Sequence, residues 1–214
     1  MKNWVDLICF QFCVHCGEYV YQGENIFCYS CFRKLLDKTH KVSGLREIKS
    51  GYLHFYLFDW EKGDNSSLVH SLIYGIKGGR AQVTFNKLAS QFALYHSKYG
   101  FKNPVFVPAP SKNHEVDHAG QWAMALAKVY GTQYFDLFDR SKDLEQKQKN
   151  RAERNKLKLK IKDNLPLGWE SFLYKFSEIV FVDDILTTGA TAKKAYEYLK
   201  MFGKTSCITV TYRL

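Results

Sequence analysis

The apolar positions of this chain come in short blocks whose period switches between strand-like and helix-like. Ile179 to Val182 is an unbroken apolar run, mostly β-branched, as suits a parallel strand covered on both faces. Asp183 and Asp184 follow directly, then a turn of Thr187, Thr188, Gly189, Ala190 and Thr191. Ala192, Ala195, Tyr196, Leu199 and Phe202 then recur at helical spacing before Gly203. The same alternation occurs upstream. PVFVP from Pro104 predicts a strand entering a proline-containing loop, and QWAMALAKVY predicts a helix with Trp122, Leu126 and Val129 inward and Gly131 at its end. Leu68, Leu72, Ile73 and Ile76 line one face of a helix that Asn65 or Ser66 is expected to cap; a break at Gly78 and Gly79 separates it from a longer helix. Residues 51–60 are aromatic and β-prone and predict a strand or hairpin arm, with Tyr52, Phe55, Tyr56 and Phe58 expected in the core rather than stacked on bases. Ser206 to Tyr212 predicts a last strand, with Cys207 as a core residue. Strands alternating with helices predict an α/β domain, and in open α/β sheets ligands bind at the carboxyl ends of strands.

Chemistry enters at the Asp183–Thr191 segment. A helix N-terminus presents unpaired N–H groups and a positive dipole end, so the Thr187–Thr191 turn suits a phosphate. Two carboxylates just upstream suit vicinal hydroxyls or a hydrated Mg²⁺. A ribose 5-phosphate satisfies both halves; helix capping alone needs one acid and explains neither the second nor the paired threonines. Ser111 and Lys112, at the end of the Pro104 strand, mark a candidate second phosphate loop with Ala109 and Pro110.

Four of the six cysteines fall near the N-terminus as Cys13-x-x-Cys16 and, eleven residues on, Cys28-x-x-Cys31. Each pair can place two thiolates on one cation, and together they complete a tetrahedral Cys₄ site, closed and therefore structural. Gly17 suits the first knuckle, and the segment between the pairs reads as a short hairpin turning near residues 22–25. Such a segment buries little apolar surface alone, so Zn²⁺ would supply its folding energy. A redox pair is the alternative for one Cys-x-x-Cys, but two at this spacing favour zinc. Cys9 and His15 are read as non-ligands, and His40, His54, His70 and His96 show no ligand spacing.

Lys and Arg number 31 against 21 Asp and Glu, a net charge of +10 that points to an anionic partner without choosing one. Residues 140–162 hold ten Lys and Arg against three Asp and Glu, most of that excess. A mobile basic arm here could close over pyrophosphate or track a nucleic-acid backbone; a solvated basic helix is the plainer alternative. No signal peptide or membrane span is visible, and cysteine usage points the same way, to a cytoplasmic protein.

VFVDDILTTGAT resembles the PRPP-binding motif of type I phosphoribosyltransferases. The resemblance implies that Asp183 and Asp184 contact the ribose hydroxyls or Mg²⁺, and that Thr187, Thr188, Gly189, Ala190 and Thr191 hold the 5-phosphate. Lys77, ahead of two glycines, resembles the lysine of the Leu-Lys-Tyr-x-Gly segment in the ComF competence-protein family, which joins a four-cysteine zinc module to a phosphoribosyltransferase domain; a helix C-terminal lysine complementing the dipole is the alternative. Val107-Pro108-Ala109-Pro110-Ser111 resembles that family's pyrophosphate loop, making Ala109, Pro110, Ser111 and Lys112 its residues here. The family's Arg-Gly-Phe-Asn-Gln continuation reads Asp117-His118-Ala119-Gly120-Gln121 in this chain, and only the Gln is kept. Its Gln, Arg, Asn loop pattern is approached by Gln148, Arg154 and Asn155, so Arg151 and Arg154, together with Lys77, are candidate PRPP or DNA contacts.

The family resemblance implies a zinc module over residues 1–45 and a type I phosphoribosyltransferase-like, Rossmann-like parallel sheet over 46–214. It further implies Mg²⁺ with PRPP as ligand and a role in natural transformation, handling incoming single-stranded DNA in the cytoplasm. Other competence proteins such as a DNA helicase or translocase would be partners, and the cytoplasmic face of the inner membrane a place of peripheral association. Three functions stay open: a PRPP-binding competence protein that binds single-stranded DNA; an active Mg²⁺-dependent phosphoribosyltransferase acting on a nitrogen nucleophile; and a PRPP-sensing regulator of double-stranded DNA. The third is weakened because no helix-turn-helix or other groove reader is evident.

Overall fold

The computed structural model describes residues 11–20, 26–42, 44–48, 51–61, 67–77, 81–111, 117–140 and 159–213. The elements in chain order are β1 (Gln11–Phe12), β2 (Tyr19–Val20), α1 (Tyr29–Val42), β3 (Gly44–Ile48), β4 (Tyr52–Trp60), α2 (Leu68–Ile76), α3 (Gln82–Tyr95), β5 (Pro104–Pro108) and α4 (His118–Tyr130). Then come β6 (Gln133–Tyr134), β7 (Phe138–Arg140), β8 (Leu159–Ile161), α5 (Trp169–Leu173), β9 (Glu178–Leu186), α6 (Ala190–Leu199) and β10 (Lys204–Arg213). The central sheet runs β3-β4-β10-β9-β5-β6. Every neighbouring pair in it is parallel except β3 with β4, so the protein is mixed α/β with a mostly parallel sheet.

The apolar run of β9 is explained by its position. Val180 and Val182 face a buried cluster shared with α2, α3 and α4, while Ile179 and Phe181 face a second cluster shared with α5 and α6. A strand covered on both faces has no polar side, hence no alternation. Tyr52, Phe55, Tyr56 and Phe58 of β4 are all buried, as core residues. Among the described residues no helix is long and apolar enough to cross a membrane.

Topology fixes where a ligand fits. From β5 the chain passes through α4 to β6 at one edge; from β9 it passes through α6 to β10 on the other side. Crossovers that leave in opposite directions lie on opposite faces and open a crevice between the carboxyl ends of their first strands, here β5 and β9.

Three local details differ from the periodicity. The cap of α2 is Ser67, whose Oγ accepts the His70 N–H at 3.1 Å, because a residue in extended conformation directly before Leu68 reaches the third helical amide. α4 begins three residues early, at His118, since Asp117 caps it. Its buried stripe is Ala119, Trp122, Ala123, Leu126 and Ala127, which leaves Val129 at the edge and 38% exposed. The predicted turn at 22–25 lies outside the described residues; β1 pairs with β2 around the first cysteine knuckle.

Candidate functional site

β9 delivers Asp183 and Asp184 to the switch-point crevice. Asp183 Oδ1 accepts the Asp184 N–H at 2.9 Å, and Thr211 Oγ1 on the neighbouring strand lies 3.5 Å from the Asp184 carbonyl. Burial raises the Asp183 carboxyl well above the usual carboxylate range, the adjacent Asp184 charge adds to it, and Asp117 contributes further. A cation beside Asp183 would offset both the burial and the repulsion that raise it. The hard oxygen donors of the two acids suit Mg²⁺.

The turn after β9 leaves a helix end open. Gly189, the N-cap of α6, has φ +70° and no side chain to accept an amide hydrogen. The first backbone bond of the helix is Lys193 N–H to the Gly189 carbonyl, 2.8 Å, and Thr188 Oγ1 stands a long 3.5 Å from Ala190 N. Thr187 and Thr188 are exposed, Gly189, Ala190 and Thr191 half-buried. Amides at a positive dipole end, ringed by hydroxyls and open to solvent, can receive a phosphate.

The loop after β5 lies beside the part of β9 that carries the two acids. Pro108 pairs with Val182, and the Ala109 N–H donates to the Val182 carbonyl at 2.7 Å, one residue before Asp183. Ala109, Pro110 and Ser111 are thereby brought to the acid pair; Lys112 lies outside the described residues, as do Gln148, Arg151, Arg154 and Asn155. Lys77 is the exposed C-cap of α2.

The four cysteines come together. Their Sγ atoms all lie within 4.8 Å of one another, with Cys16 and Cys28 sulfurs 3.7 Å apart. Zn–S bonds of about 2.3 Å in a tetrahedron need sulfurs about 3.8 Å apart, so the cluster could hold a metal such as zinc after shifts of about 1 Å or less. The first knuckle closes by Gly17 N–H to the Cys13 carbonyl, 3.0 Å, with Gly17 at φ +74°, and Cys31 enters the first turn of α1. Burial pushes the Cys13 thiol up, but N–H groups of Cys16, Cys28 and His15 outweigh it and bring it down to about 7. Cys31 is raised by burial and by hydrogen bonding with Cys16, Cys28 and Cys13. A bound metal would take the four sulfurs as thiolates. His15 turns away from the cluster, its Nδ1 3.0 Å from Ser71 Oγ.

Two contributors were missed by sequence reasoning. Asp117 caps α4, its Oδ1 accepting from Ala119 N and Gly120 N, and it also acts on Asp183; an Asp directly before a helical stripe was the signal. Tyr52 is 2% exposed, and its Oη, which has no hydrogen-bond partner among the described residues, lies 3.7 Å from where a Gly189 Cβ would stand. Nothing local marked that contact, which joins residues far apart in sequence. No protein-family model matches the chain, and no curated protein matches it.

Proposed function

We propose that the chain is a ComF-type competence protein with a phosphoribosyltransferase-like fold, which binds PRPP with Mg²⁺ at Asp183–Thr191 and binds single-stranded DNA. The observation that carries the first part is the uncapped N-terminus of α6, directly after two adjacent carboxylates at the switch point. In this reading Mg²⁺ supplies charge neutralisation beside Asp183 and Asp184, the Thr187–Thr191 turn takes the 5-phosphate, and the Ala109–Ser111 loop takes the pyrophosphate end. The cysteine cluster holds a structural Zn²⁺.

Support for the nucleic-acid part comes from the surface around the knuckles. Phe12, Tyr19 and Tyr29 are 59%, 62% and 75% exposed, and Arg33, Lys34 and Lys38 are exposed on α1. Aromatic faces among cations suit unpaired bases on a phosphate backbone.

Calorimetry with PRPP and Mg²⁺ tests the site. The Asp183→Ala, Asp184→Ala double variant is expected to lose measurable affinity, and unchanged affinity would sink the assignment. Binding of single-stranded DNA should weaken steeply with salt, because neutralised phosphates release counterions; affinity indifferent to salt removes the electrostatic account.

A further inference from the structure

The cysteine cluster is keyed into α2. In the last turn of that helix, a Cβ on Gly75 would stand 2.4 Å from Ile26 Cδ1 and 3.2 Å from Val14 Cγ2, so this close seat exists because residue 75 has no side chain. Val14 belongs to the first knuckle and Ile26 leads into the second. Their backbones are tied, Val14 N–H to the Ile26 carbonyl at 3.0 Å. The neighbouring contacts repeat the arrangement: His15 Nδ1 with Ser71 Oγ at 3.0 Å, and Ile26 N–H toward Thr84 Oγ1 of α3 at 3.4 Å. Each comes from a residue within two positions of a cluster cysteine. Cys13, Ile26, Phe27 and Cys31 also share one buried cluster with Leu72, Ile73 and Ile76 of α2. The helix ends one residue later at Lys77, whose N–H caps onto the Gly75 carbonyl.

We propose that metal held by Cys13, Cys16, Cys28 and Cys31 sets the last turn of α2, and Lys77 with it, so that metal and phosphoribosyl ligand bind with positive coupling. The coupling rests on the ribose-phosphate reading of Asp183–Thr191 and on Lys77 contacting that ligand. Its physical basis is that the two wedge residues come from different knuckles. A bound metal fixes the separation of the knuckles and so holds Val14 and Ile26 seated together on Gly75. Coupling of this kind is reciprocal, so PRPP must tighten zinc by the factor by which zinc tightens PRPP.

The test is zinc affinity of the full chain, measured by competition with a zinc-selective chromophoric chelator, with and without saturating PRPP and Mg²⁺. Zinc is expected to bind about tenfold more tightly with PRPP present. Unchanged zinc affinity in a sample that binds PRPP by calorimetry overturns the coupling. Lys77→Ala should abolish the PRPP effect and leave zinc affinity alone; a PRPP effect that survives this change overturns the role of Lys77. Gly75→Ala is expected to weaken zinc about tenfold by displacing Ile26, and Ser71→Ala, which adds no bulk, about fivefold through the lost hydrogen bond. Zinc affinity unchanged in both variants overturns the docking, whether or not PRPP binds. A wild-type chain that binds zinc but no PRPP overturns the coupling through the ribose-phosphate reading, and the two variants still judge the docking by itself.

Discussion

Two helices begin at the carboxyl edge of the sheet, α4 after β5 and α6 after β9, and they end their first turns in opposite ways. α4 carries its own anion: Asp117 Oδ1 accepts from Ala119 N and Gly120 N. α6 carries none, because its N-cap is Gly189. The dipoles are alike, but one cap is an aspartate in extended backbone and the other a glycine at φ +70° with no side chain. A helix end that already holds a carboxylate has little attraction left for a phosphate, which is why the proposed phosphate site falls to α6 and not to α4. Asp117 meanwhile adds negative charge near Asp183, which makes the crevice a place for a cation beside a place for an anion.

Giving α6 the kind of cap that α4 has should produce the largest effect. Thr188→Asp places a carboxylate on the first-turn amides of α6 and is expected to weaken PRPP–Mg²⁺ binding about a hundredfold while leaving the fold at least as stable. Calorimetry with a thermal melt reads both; retained affinity would mean that the phosphate sits elsewhere.

A smaller effect is expected from pH. The folded Asp183 carboxyl is raised above its unfolded value of 3.8, so the free protein gains from the protonated acid at low pH and loses that gain as pH rises through the folded value. Cation binding needs the ionised form, so PRPP–Mg²⁺ affinity should climb by up to about tenfold per pH unit below the folded value and level off above it. Asp183→Asn is expected to flatten the profile and to stabilise the ligand-free chain; a slope that persists in this variant assigns the proton to another group.

The smallest change should come from removing the cap that exists. Asp117→Ala is expected to cost about 1 kcal/mol of stability in a urea titration, with PRPP affinity altered less than threefold. A large loss of affinity would place the α4 end inside the anion site.

How much of this the chain declared in advance follows from how local each cause is. The β9 run, the acid pair, the glycine turn and α6 are consecutive, and the two Cys-x-x-Cys pairs are short enough for their spacing to announce a shared metal. The Ser67 and Asp117 caps were legible in principle; Ser67 was displaced by one residue and Asp117 passed over, because several polar residues precede each helix and only the backbone conformation selects one. What could not be read is non-local. That β9 lies between β5 and β10, that Ala109 bonds to Val182, that Tyr52 reaches Gly189 and that Val14 and Ile26 share Gly75 all depend on strand order and helix placement, which periodicity within a segment does not encode.

The contrast between the two helix ends can be read directly from backbone amides. In a ¹⁵N-labelled chain titrated with PRPP and Mg²⁺, the resonances of Gly189, Ala190, Thr191 and Ala192 are expected to move in proportion to occupancy, while those of Ala119 and Gly120, already bonded to Asp117, stay in place. Movement at Ala119 and Gly120 with none at Gly189 to Ala192 would contradict the account.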